Sequence, residues 1–299
     1  MRPWSCFLQD QLIQTTEIHI VPPLSNPVRL SDYGVGIFGS VPTKSAWKKA
    51  IKKQWVTVEE VMGTTGTFLR GGERIRLVIP EAAPPKKQLI LPLRVLWEDA
   101  HLALVHKPAG IVVSGNRWKT IANALPQNIE PSSLPDATRS QPIHRLDYPT
   151  TGLLLVGKTS SSIRALNQLF AEQQVEKTYL AVTIGKMEGQ GTIATDIDGK
   201  PAKSTYVVQA SVPSERFGQL NLVRLLPHTG RTHQLRIHLA SIGHPILGDR
   251  DYGREPLILK GKGMYLHAYA LRFVHPFSGK ALLVADELPE KFGKIFPGE

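Results

Sequence analysis

The chain has very little cysteine and no long apolar segment. Cys6 is its single cysteine, so an intramolecular disulfide and a cysteine-cluster metal site are both excluded. No apolar run approaches the roughly 20 residues that a membrane-spanning helix needs. The N-terminus also lacks a basic segment followed by an apolar one, which is the pattern of a secretory signal. We therefore expect a cytoplasmic protein that is not bound to a membrane.

Acidic residues are scarce relative to basic ones. Lys and Arg number 36 against 25 Asp and Glu, which leaves a formal net charge of +11. An excess of this size favours polyanionic partners, because binding releases counterions from phosphates. Anionic membranes would attract the same charge, but no lipidation motif or amphipathic anchor accompanies it. The apolar share of 41% and the length of 299 residues indicate a folded chain with room for two domains.

One loop combines charged residues with an apolar run. Residues 144–152 read HRLDYPTTG and lead directly into the apolar residues 153–156. A short apolar run entered through a loop with Pro and Gly predicts a buried strand. Pro149 and Gly152 restrict the loop, so it can hold Asp147 in a fixed position. On these grounds alone, Asp147 is either a structural hydrogen-bond acceptor or a catalytic carboxylate.

The whole stretch resembles the H-R-L-D-x-x-T-S-G-L-L-L signature of the RluA-like family of pseudouridine synthases, which isomerise uridines in ribosomal and transfer RNA. The resemblance implies that Asp147 is the catalytic residue. It also implies that His144 and Arg145 contact the RNA, with Arg145 filling the gap left by the flipped base. The chain departs from the family at Tyr148-Pro149, where a charged pair is usual, and at Thr151, where Ser is usual.

A second motif lies in an expected strand. Residues 177–181 read KTYLA, and strand alternation places Lys177 and Tyr179 on one face. A Tyr in a strand is usually a core residue whose hydroxyl is satisfied at the edge of the sheet. The sequence is similar to the family's K-x-Y-x-A motif, which implies instead that Tyr179 is a catalytic-site residue that stacks on the target base.

The third motif, residues 229–249, matches T-G-R-T-H-Q-L-R-x-H-L-x-x-x-G-H-P-I-x-G-D. Its spacing predicts a helix with Thr232 as N-cap, an apolar seam that includes Leu235, and an end near Gly243. Arg236 then lies at the border of the buried face and needs a partner. The resemblance implies that Arg236 pairs with Asp147 in the catalytic site and that Arg231 and Gln234 bind the substrate.

Several histidines in and around this third motif raise the question of a metal site; they are His228, His233, His238 and His244. His233 and His238 are five residues apart, which places them on different faces of a helix. No HExxH-like or Cys-His pattern accompanies them. We expect no metal.

A lysine-rich segment precedes these motifs. Within residues 43–53, Trp47, Ala50 and Ile51 share one face of a predicted helix, and Thr43 or Ser45 can cap its start. The flanking faces carry Lys44, Lys48, Lys49, Lys52 and Lys53. Such a run by itself favours a solvated surface. Together with expected strands at 55–58 and 67–77, however, it resembles the S4 RNA-binding module that many of these synthases carry, which implies that these lysines bind RNA.

The resemblance resumes at a strand that ends in Lys107-Pro108-Ala109-Gly110, similar to the V-x-x-K-P-x-G-x-x-V segment that opens the family's catalytic domain. We expect a strand at 102–105, a tight turn, and a second strand that ends at Val113. Lys107 is either a residue of the RNA-binding site or only part of the turn.

These observations imply an α+β catalytic domain with a largely antiparallel mixed sheet, preceded by a small S4-like α/β domain. The expected boundaries are an extension at 1–27, the S4-like domain at 28–82, a linker at 83–93 and the catalytic domain at 94–299. The resemblance covers the chain from about residue 28 to its end.

The resemblance implies an RNA pseudouridine synthase that acts as a monomer on structured RNA by base flipping. Ribosomal RNA is favoured, and transfer RNA is the alternative. The isomerisation involves no net redox change and requires no cofactor. Whether Asp147 bonds covalently to the nucleoside or acts through a glycal intermediate stays open. A non-catalytic S4-type RNA-binding protein is the competing class, but it would have no reason to keep Asp147, Tyr179 and Arg236 together.

Overall fold

The computed structural model describes residues 14–80 and 89–298, which belong to two compact units separated between Lys87 and Gln88. The expectations for residues 1–13 and for most of the linker lie outside the described residues. No helix in the described part of the chain is long and apolar enough to cross a bilayer.

The first unit is a small α/β structure. Its elements are β1 (Gln14–Ile20), β2 (Val28–Arg29), α1 (Leu30–Tyr33), α2 (Lys44–Lys52), β3 (Val56–Val58), β4 (Val61–Met62), β5 (Phe68–Leu69) and β6 (Arg74–Pro80). Four of the strands form a sheet in the order β1-β6-β3-β4, and β2 pairs with β5. All of these neighbours pair antiparallel, and β3 and β4 are joined by a two-residue connection.

The lysine-rich helix forms as its pattern predicts. The Thr43 hydroxyl accepts a hydrogen bond from the Ala46 amide at 3.2 Å, so Thr43 caps α2. Trp47 is fully buried and donates its indole N–H to the Leu30 carbonyl at 2.7 Å. All five lysines of this segment are exposed, and Lys44 pairs with Asp32. The apolar face of α2 therefore anchors the helix while the basic face remains open to solvent.

The expected N-terminal extension is wrong for residues 14–27. β1 pairs antiparallel with β6 along its whole length, from Gln14 opposite Pro80 to Ile20 opposite Arg74. Val21 is also buried in the core of this unit. Backbone pairing with a strand 60 residues away makes this segment part of the first unit, and neighbouring residues alone do not reveal such pairing.

The second unit is built on one large sheet. Its elements are β7 (Val95–Glu98), β8 (Leu102–Lys107), α3 (Ile121–Ala124), β9 (Ala137–Pro142), β10 (Thr151–Thr159), α4 (Ser160–Ala171), β11 (Glu176–Ile184), β12 (Gln190–Ile193), β13 (Ser204–Ser214), β14 (Gly218–Pro227), α5 (Gln234–Ser241), β15 (Leu266–Val274), β16 (Ala281–Ala285) and α6 (Glu290–Gly293). The strand order is β12-β13-β14-β11-β15-β10-β8-β7, with β16 beside β15 and β9 beside β10. Among the described ladders of this sheet only β10 and β15 are parallel, so the expected α+β class with a largely antiparallel sheet is confirmed.

The strand after the Asp147 loop is buried on both faces, as its apolar run predicts. Leu153 and Leu155 pack in one core with Leu166 of α4. Leu154 and Val156 point to the opposite face and pack in a second core. With apolar side chains in contact on both sides, β10 is a rigid support for the loop that precedes it.

Three local expectations differ from the structure. Residues 89–93 are not linker, because Leu93 is buried in the second unit and its amide donates to the Asn128 side chain at 2.7 Å. The strand expected to end at Val113 is reduced to a single bridge from Val112 to Thr120. The third-motif helix starts after His233, which has a left-handed φ of 55°, and Thr232 is not its N-cap.

Candidate active site

A cavity of about 480 Å³ lies in the second unit, where three parts of the chain converge. The loop before β10, one face of β11, and the connection from β14 into α5 supply its walls. The residues expected in the site that line it are His144, Arg145, Asp147, Tyr179, Arg231, Gln234 and Arg236. The three motifs, which span more than 80 residues of sequence, therefore meet around one cavity.

Asp147 presents its carboxylate to this cavity between two basic side chains. Its side chain is 25% exposed, with Oδ2 3.6 Å from Arg236 Nη1 and Oδ1 3.9 Å from His233 Nε2. Both distances are longer than a hydrogen bond. Arg236, and His233 when it is protonated, therefore attract the carboxylate without occupying its oxygens, which remain accessible to a bound molecule.

The loop ends at a close approach that only glycine allows. Gly152 has a φ of 113°, and a Cβ on it would lie 2.2 Å from the Ala268 carbonyl oxygen. At this point β10 starts its parallel pairing with β15, with Thr151 opposite His267. The Thr151 hydroxyl and His267 Nδ1 are also hydrogen-bonded at 2.8 Å. These contacts fix the end of the loop five residues after the carboxylate.

Lys107 holds the same loop from its buried side, and the expectation that it contacts RNA is wrong. Its side chain is 0% exposed, and Nζ donates to the carbonyls of Pro108 at 2.9 Å, Tyr148 at 3.3 Å and Thr150 at 2.7 Å. Burial lowers the pKa of Lys107 to about 8, although the charge of Asp147 acts in the opposite direction. An ammonium group has three donors; two of them hold carbonyls of the loop after Asp147, and the third holds the turn after β8. Lys107 is therefore more than part of a turn: it is a buried residue that positions the loop of the site.

Arg236 is held by a carboxylate that the sequence reading did not assign to the site. Its Nε and Nη2 donate to the two oxygens of Asp249, both at 2.7 Å, and Nη2 also donates to Asp251 at 2.6 Å. Burial opposes the charged form, but the bonds to Asp249 and Asp251 outweigh it and raise the pKa of Arg236. Because Nε and Nη2 bind the two oxygens of Asp249, the remaining nitrogen, Nη1, points towards Asp147. The final Asp of the third motif was the available signal for this partner.

Tyr179 and Lys177 come from the same face of β11, as strand alternation predicts, and both line the cavity. Burial raises the pKa of the Tyr179 hydroxyl, and the negative charge of Asp147 adds to this effect. Burial also lowers the pKa of Lys177. Lys177 is a cavity residue that was not singled out as a site residue, although the second motif contains it.

His144 and Gln234 line the cavity but also shape it. His144 Nε2 accepts the Leu155 amide at 3.1 Å, and burial, with a contribution from nearby Lys177, lowers the pKa of His144 to about 4. The imidazole is therefore neutral at neutral pH. The Gln234 side-chain oxygen accepts from the Thr229 hydroxyl at 2.6 Å and the Arg231 amide at 3.0 Å.

The Gln234 amide nitrogen donates to the Lys203 carbonyl at 2.9 Å and to the Ser204 hydroxyl. Gln234 is buried, so its polar atoms hold the 229–231 loop in place. The expectation that Gln234 binds the substrate stays a prediction, because the residue lines the cavity while its amide is used within the protein.

Arg145 and Arg231 lie at the rim. Both are exposed cavity-lining residues, and Arg231 Nε donates to the Pro201 carbonyl at 3.0 Å. The lysines of α2 belong to the first unit and are not part of this cavity.

The histidines of the third motif have separate partners. His233 Nδ1 bonds the Tyr252 hydroxyl at 2.9 Å, His238 lies between Ser204 and Thr195, and His244 Nδ1 contacts the Ile184 carbonyl. Within the described residues, no group of three or more His, Cys, Asp or Glu side chains could hold a metal ion.

Comparisons with known proteins agree with one another. A family model described as RNA pseudouridylate synthase matches residues 101–241, a range that contains Asp147, Tyr179 and Arg236. The ribosomal large subunit pseudouridine synthase D of Nitrosomonas europaea is 36% identical, over 82% of this chain and 77% of its own. The ribosomal large subunit pseudouridine synthase C of Escherichia coli is 32% identical, over 70% of this chain and 72% of its own. The solved structure of human RNA pseudouridylate synthase domain containing 1 matches with a TM-score of 0.55 and 26% identity, over 70% of this chain and 87% of that one.

Proposed function

The chain belongs to the RNA pseudouridylate synthase family and is an RNA pseudouridine synthase, and from this premise we propose that Asp147 is its catalytic residue and ribosomal RNA its substrate. The observation that carries the assignment of Asp147 is its place in the cavity. It is the carboxylate that faces Arg236 and His233 at 3.6 and 3.9 Å and still has accessible oxygens. Asp249 is also buried and close to Arg236, but both of its carboxylate oxygens already accept hydrogen bonds from that guanidinium.

The reaction breaks the bond from C1′ to N1 of a uridine, turns the uracil and joins C1′ to C5. Asp147 can serve as the nucleophile or remove a proton from the sugar, and both roles need an ionised carboxylate. The cation of Arg236 favours that anionic form. The flanking contacts at Lys107 and Gly152 hold the carboxylate in place while the base turns.

Tyr179 supplies the aromatic surface for the base. Its ring lines the cavity, and base stacking on an aromatic side chain contributes about 1–3 kcal/mol. Because its pKa is raised, the hydroxyl stays protonated at neutral pH, so it enters the reaction as a hydrogen-bond donor. Arg236 orients Asp147, and Asp249 in turn orients Arg236.

A uridine in folded RNA must leave its stack to reach this cavity, which costs a few kcal/mol. Arg145 and Arg231 lie exposed at the rim, where they can bind phosphates next to the target. Arg145 fills the position that the flipped base leaves. The exposed lysines of α2 give the first unit a basic surface, and this S4-like unit contacts the same RNA.

Ribosomal RNA is the favoured substrate because the two bacterial relatives named above are called ribosomal large subunit pseudouridine synthases. An enzyme with this substrate works in the cytoplasm, where bacterial ribosomes are assembled.

The test is pseudouridine mapping of total RNA by carbodiimide modification and primer extension. RNA is taken from cells with the intact protein, with Asp147→Ala and with no protein. Specific pseudouridines in the large-subunit RNA should vanish equally in the last two samples. Asp196→Asn removes an exposed carboxylate that does not line the cavity, so it should leave the same sites intact.

Other outcomes contradict separate parts of the proposal. Sites that depend on the protein but survive Asp147→Ala would disprove the catalytic assignment. Protein-dependent sites that occur only in transfer RNA would overturn the assignment of ribosomal RNA as the substrate. If no pseudouridine in the RNA tested depends on the protein, the result would favour a non-catalytic role in RNA binding over catalysis on that RNA.

A further inference from the structure

Two large aromatic side chains of the second unit are exposed near the Asp147 loop. Tyr148 is 54% exposed and Trp118 is 46% exposed, although Trp side chains are highly buried on average. Tyr148 directly follows Asp147 but does not line the cavity. Its hydroxyl instead lies over Gly110, 3.9 Å from the place where a Cβ on that glycine would be. The ring therefore extends from the loop towards the turn after β8.

The backbone connects this turn to the loop that displays Trp118. The Gly110 amide donates to the Tyr148 carbonyl at 2.9 Å. Two residues later Val112 bridges Thr120, and the Ile121 amide donates to the Val112 carbonyl at 3.0 Å. The intervening loop therefore begins and ends beside the turn over which Tyr148 lies.

The backbone at Trp118 is held by hydrogen bonds while its side chain stays about half-exposed. The Trp118 carbonyl accepts from the Asn123 side chain at 2.9 Å and from the Thr120 amide at 3.1 Å. Arg139 donates to the Asn123 side-chain oxygen at 2.9 Å, which anchors the same residue from the other side. A rigid backbone that presents an exposed aromatic ring loses little entropy when a partner stacks on it.

The surroundings of Trp118 are basic. Arg117 and Lys119 flank it and are exposed. From Ala100 to Ile129 the sequence contains no Asp or Glu. An exposed aromatic ring between two cations, with a second exposed ring beside it at Tyr148, matches the chemistry of a single nucleic-acid strand, whose bases stack and whose phosphates are anionic. An apolar protein partner would not require the charges, and an acidic one would not require the rings.

We propose that Tyr148 and Trp118 are stacking platforms for nucleotides that flank the target uridine in the substrate RNA, with Arg117 and Lys119 binding their phosphates. We call these four residues the flanking-strand surface. The proposal rests on the proposed function, because it assumes that the RNA strand enters the cavity at Asp147. It adds a strand path that runs from the Asp147 loop across Gly110 to Trp118.

Equilibrium binding of the full chain to an oligouridylate of about 12 nucleotides, a length within the site sizes of single-strand binders, tests this surface. Trp118→Ala and Tyr148→Ala should each weaken binding by about 5- to 150-fold, the equivalent of one lost base stack. Trp118→Phe and Tyr148→Phe keep a ring and should stay close to the intact protein. Trp118→Phe should also lose most of the tryptophan fluorescence change on binding.

Uridine monophosphate serves as the second probe because it cannot reach both the cavity and the flanking-strand surface. Its binding should be unchanged in Trp118→Ala. Phe277→Ala is the matched control, since Phe277 is also an exposed aromatic of the second unit but lies in the turn after β15. It should bind the oligouridylate like the intact protein.

Oligouridylate binding by Trp118→Ala and Tyr148→Ala that equals that of Phe277→Ala would overturn the proposal. An equal loss of both probes would overturn it as well, because it would show that the variants damage the cavity. Binding does not depend on turnover, so a failure here leaves the Asp147 mapping result unaffected. In the same way, an active Asp147→Ala protein would leave the binding result standing.

Discussion

At the scale of single residues, the proposed catalytic carboxylate, Asp147, depends on a series of contacts that ends outside the cavity, at Asp249. Asp147 faces Arg236, and Arg236 is directed by the two oxygens of Asp249. Arg236 and Asp249 are both buried, so each is costly to leave without its partner. A charge placed in this way keeps its orientation without rearrangement when a substrate binds.

Asp249→Asn should lower the free energy of unfolding of the second unit by about 3–5 kcal/mol, because it removes the buried counter-charge of the buried Arg236. Pseudouridine formation should fall with it, since Nη1 of Arg236 is no longer held towards Asp147. Urea denaturation and RNA modification by the same preparation measure the two effects.

The matched control for this change is Asp251→Asn. Asp251 also bonds Arg236, but its side chain is 65% exposed, so its loss should cost no more than about 1 kcal/mol. Equal destabilisation by the two variants would contradict the role given to Asp249.

At the scale of elements, the part of the loop that follows Asp147 is held by contacts with two other strands. Lys107 at the end of β8 holds its carbonyls, and the parallel junction of β10 with β15 ends it. This junction requires two backbones to approach more closely than a side chain on residue 152 would permit. The position of the loop is thus coupled to the register of the central strands.

Gly152→Ala should destabilise the second unit by more than about 4 kcal/mol, a loss that marks a severe packing defect. A Cβ there would meet the Ala268 carbonyl at 2.2 Å, and φ is 113°. The β10–β15 pairing must then separate. Thermal or urea denaturation of the full chain measures the loss.

Gly218→Ala separates the two causes of that loss. Gly218 also has a positive φ, of 71°, but a Cβ on it would meet nothing within 4 Å. Gly218→Ala should therefore lower the free energy of unfolding only by the backbone strain, which is about 1–2 kcal/mol. If both glycine variants lose the same stability, the close approach to Ala268 is not what requires Gly152.

At the scale of the whole molecule, the net charge of +11 is distributed over two units. The second unit contains the cavity and its basic rim. The first unit presents exposed lysines along α2, whose apolar face is anchored by Trp47. If these lysines bind phosphates as proposed, they strengthen RNA binding without reading its sequence, and they make the affinity sensitive to salt.

Replacing Lys48, Lys49, Lys52 and Lys53 together with Gln should reduce the slope of log affinity against log salt concentration by up to about 3 to 4 for RNA. The reason is that each phosphate contact releases about 0.7 to 0.9 counterions. Filter binding or fluorescence titration over a salt series measures the slope. The exposed lysines of the second unit that do not line the cavity, Lys260, Lys262, Lys280 and Lys294, provide a control of equal charge. A control variant with the same reduced slope would mean that the first unit has no special part in RNA binding.

The sequence by itself determined the features whose causes are local. The apolar run after Asp147 predicts a buried strand, the spacing around Trp47 predicts α2, and Thr43 caps that helix as expected. Periodicity and capping act between residues a few positions apart, so they can be read along the chain. The alternation in β11 likewise put Lys177 and Tyr179 on one face.

Only the tertiary structure decided the contacts between distant residues. Lys107 looked like a cation at a turn, but it is buried because carbonyls about 40 residues away accept hydrogen bonds from its ammonium group. β1 joined the first unit through pairing with β6, and Asp249 became the partner of Arg236 across the end of a helix. Whether a charged residue is buried depends on which distant groups can satisfy it, and that is established only when the chain has folded.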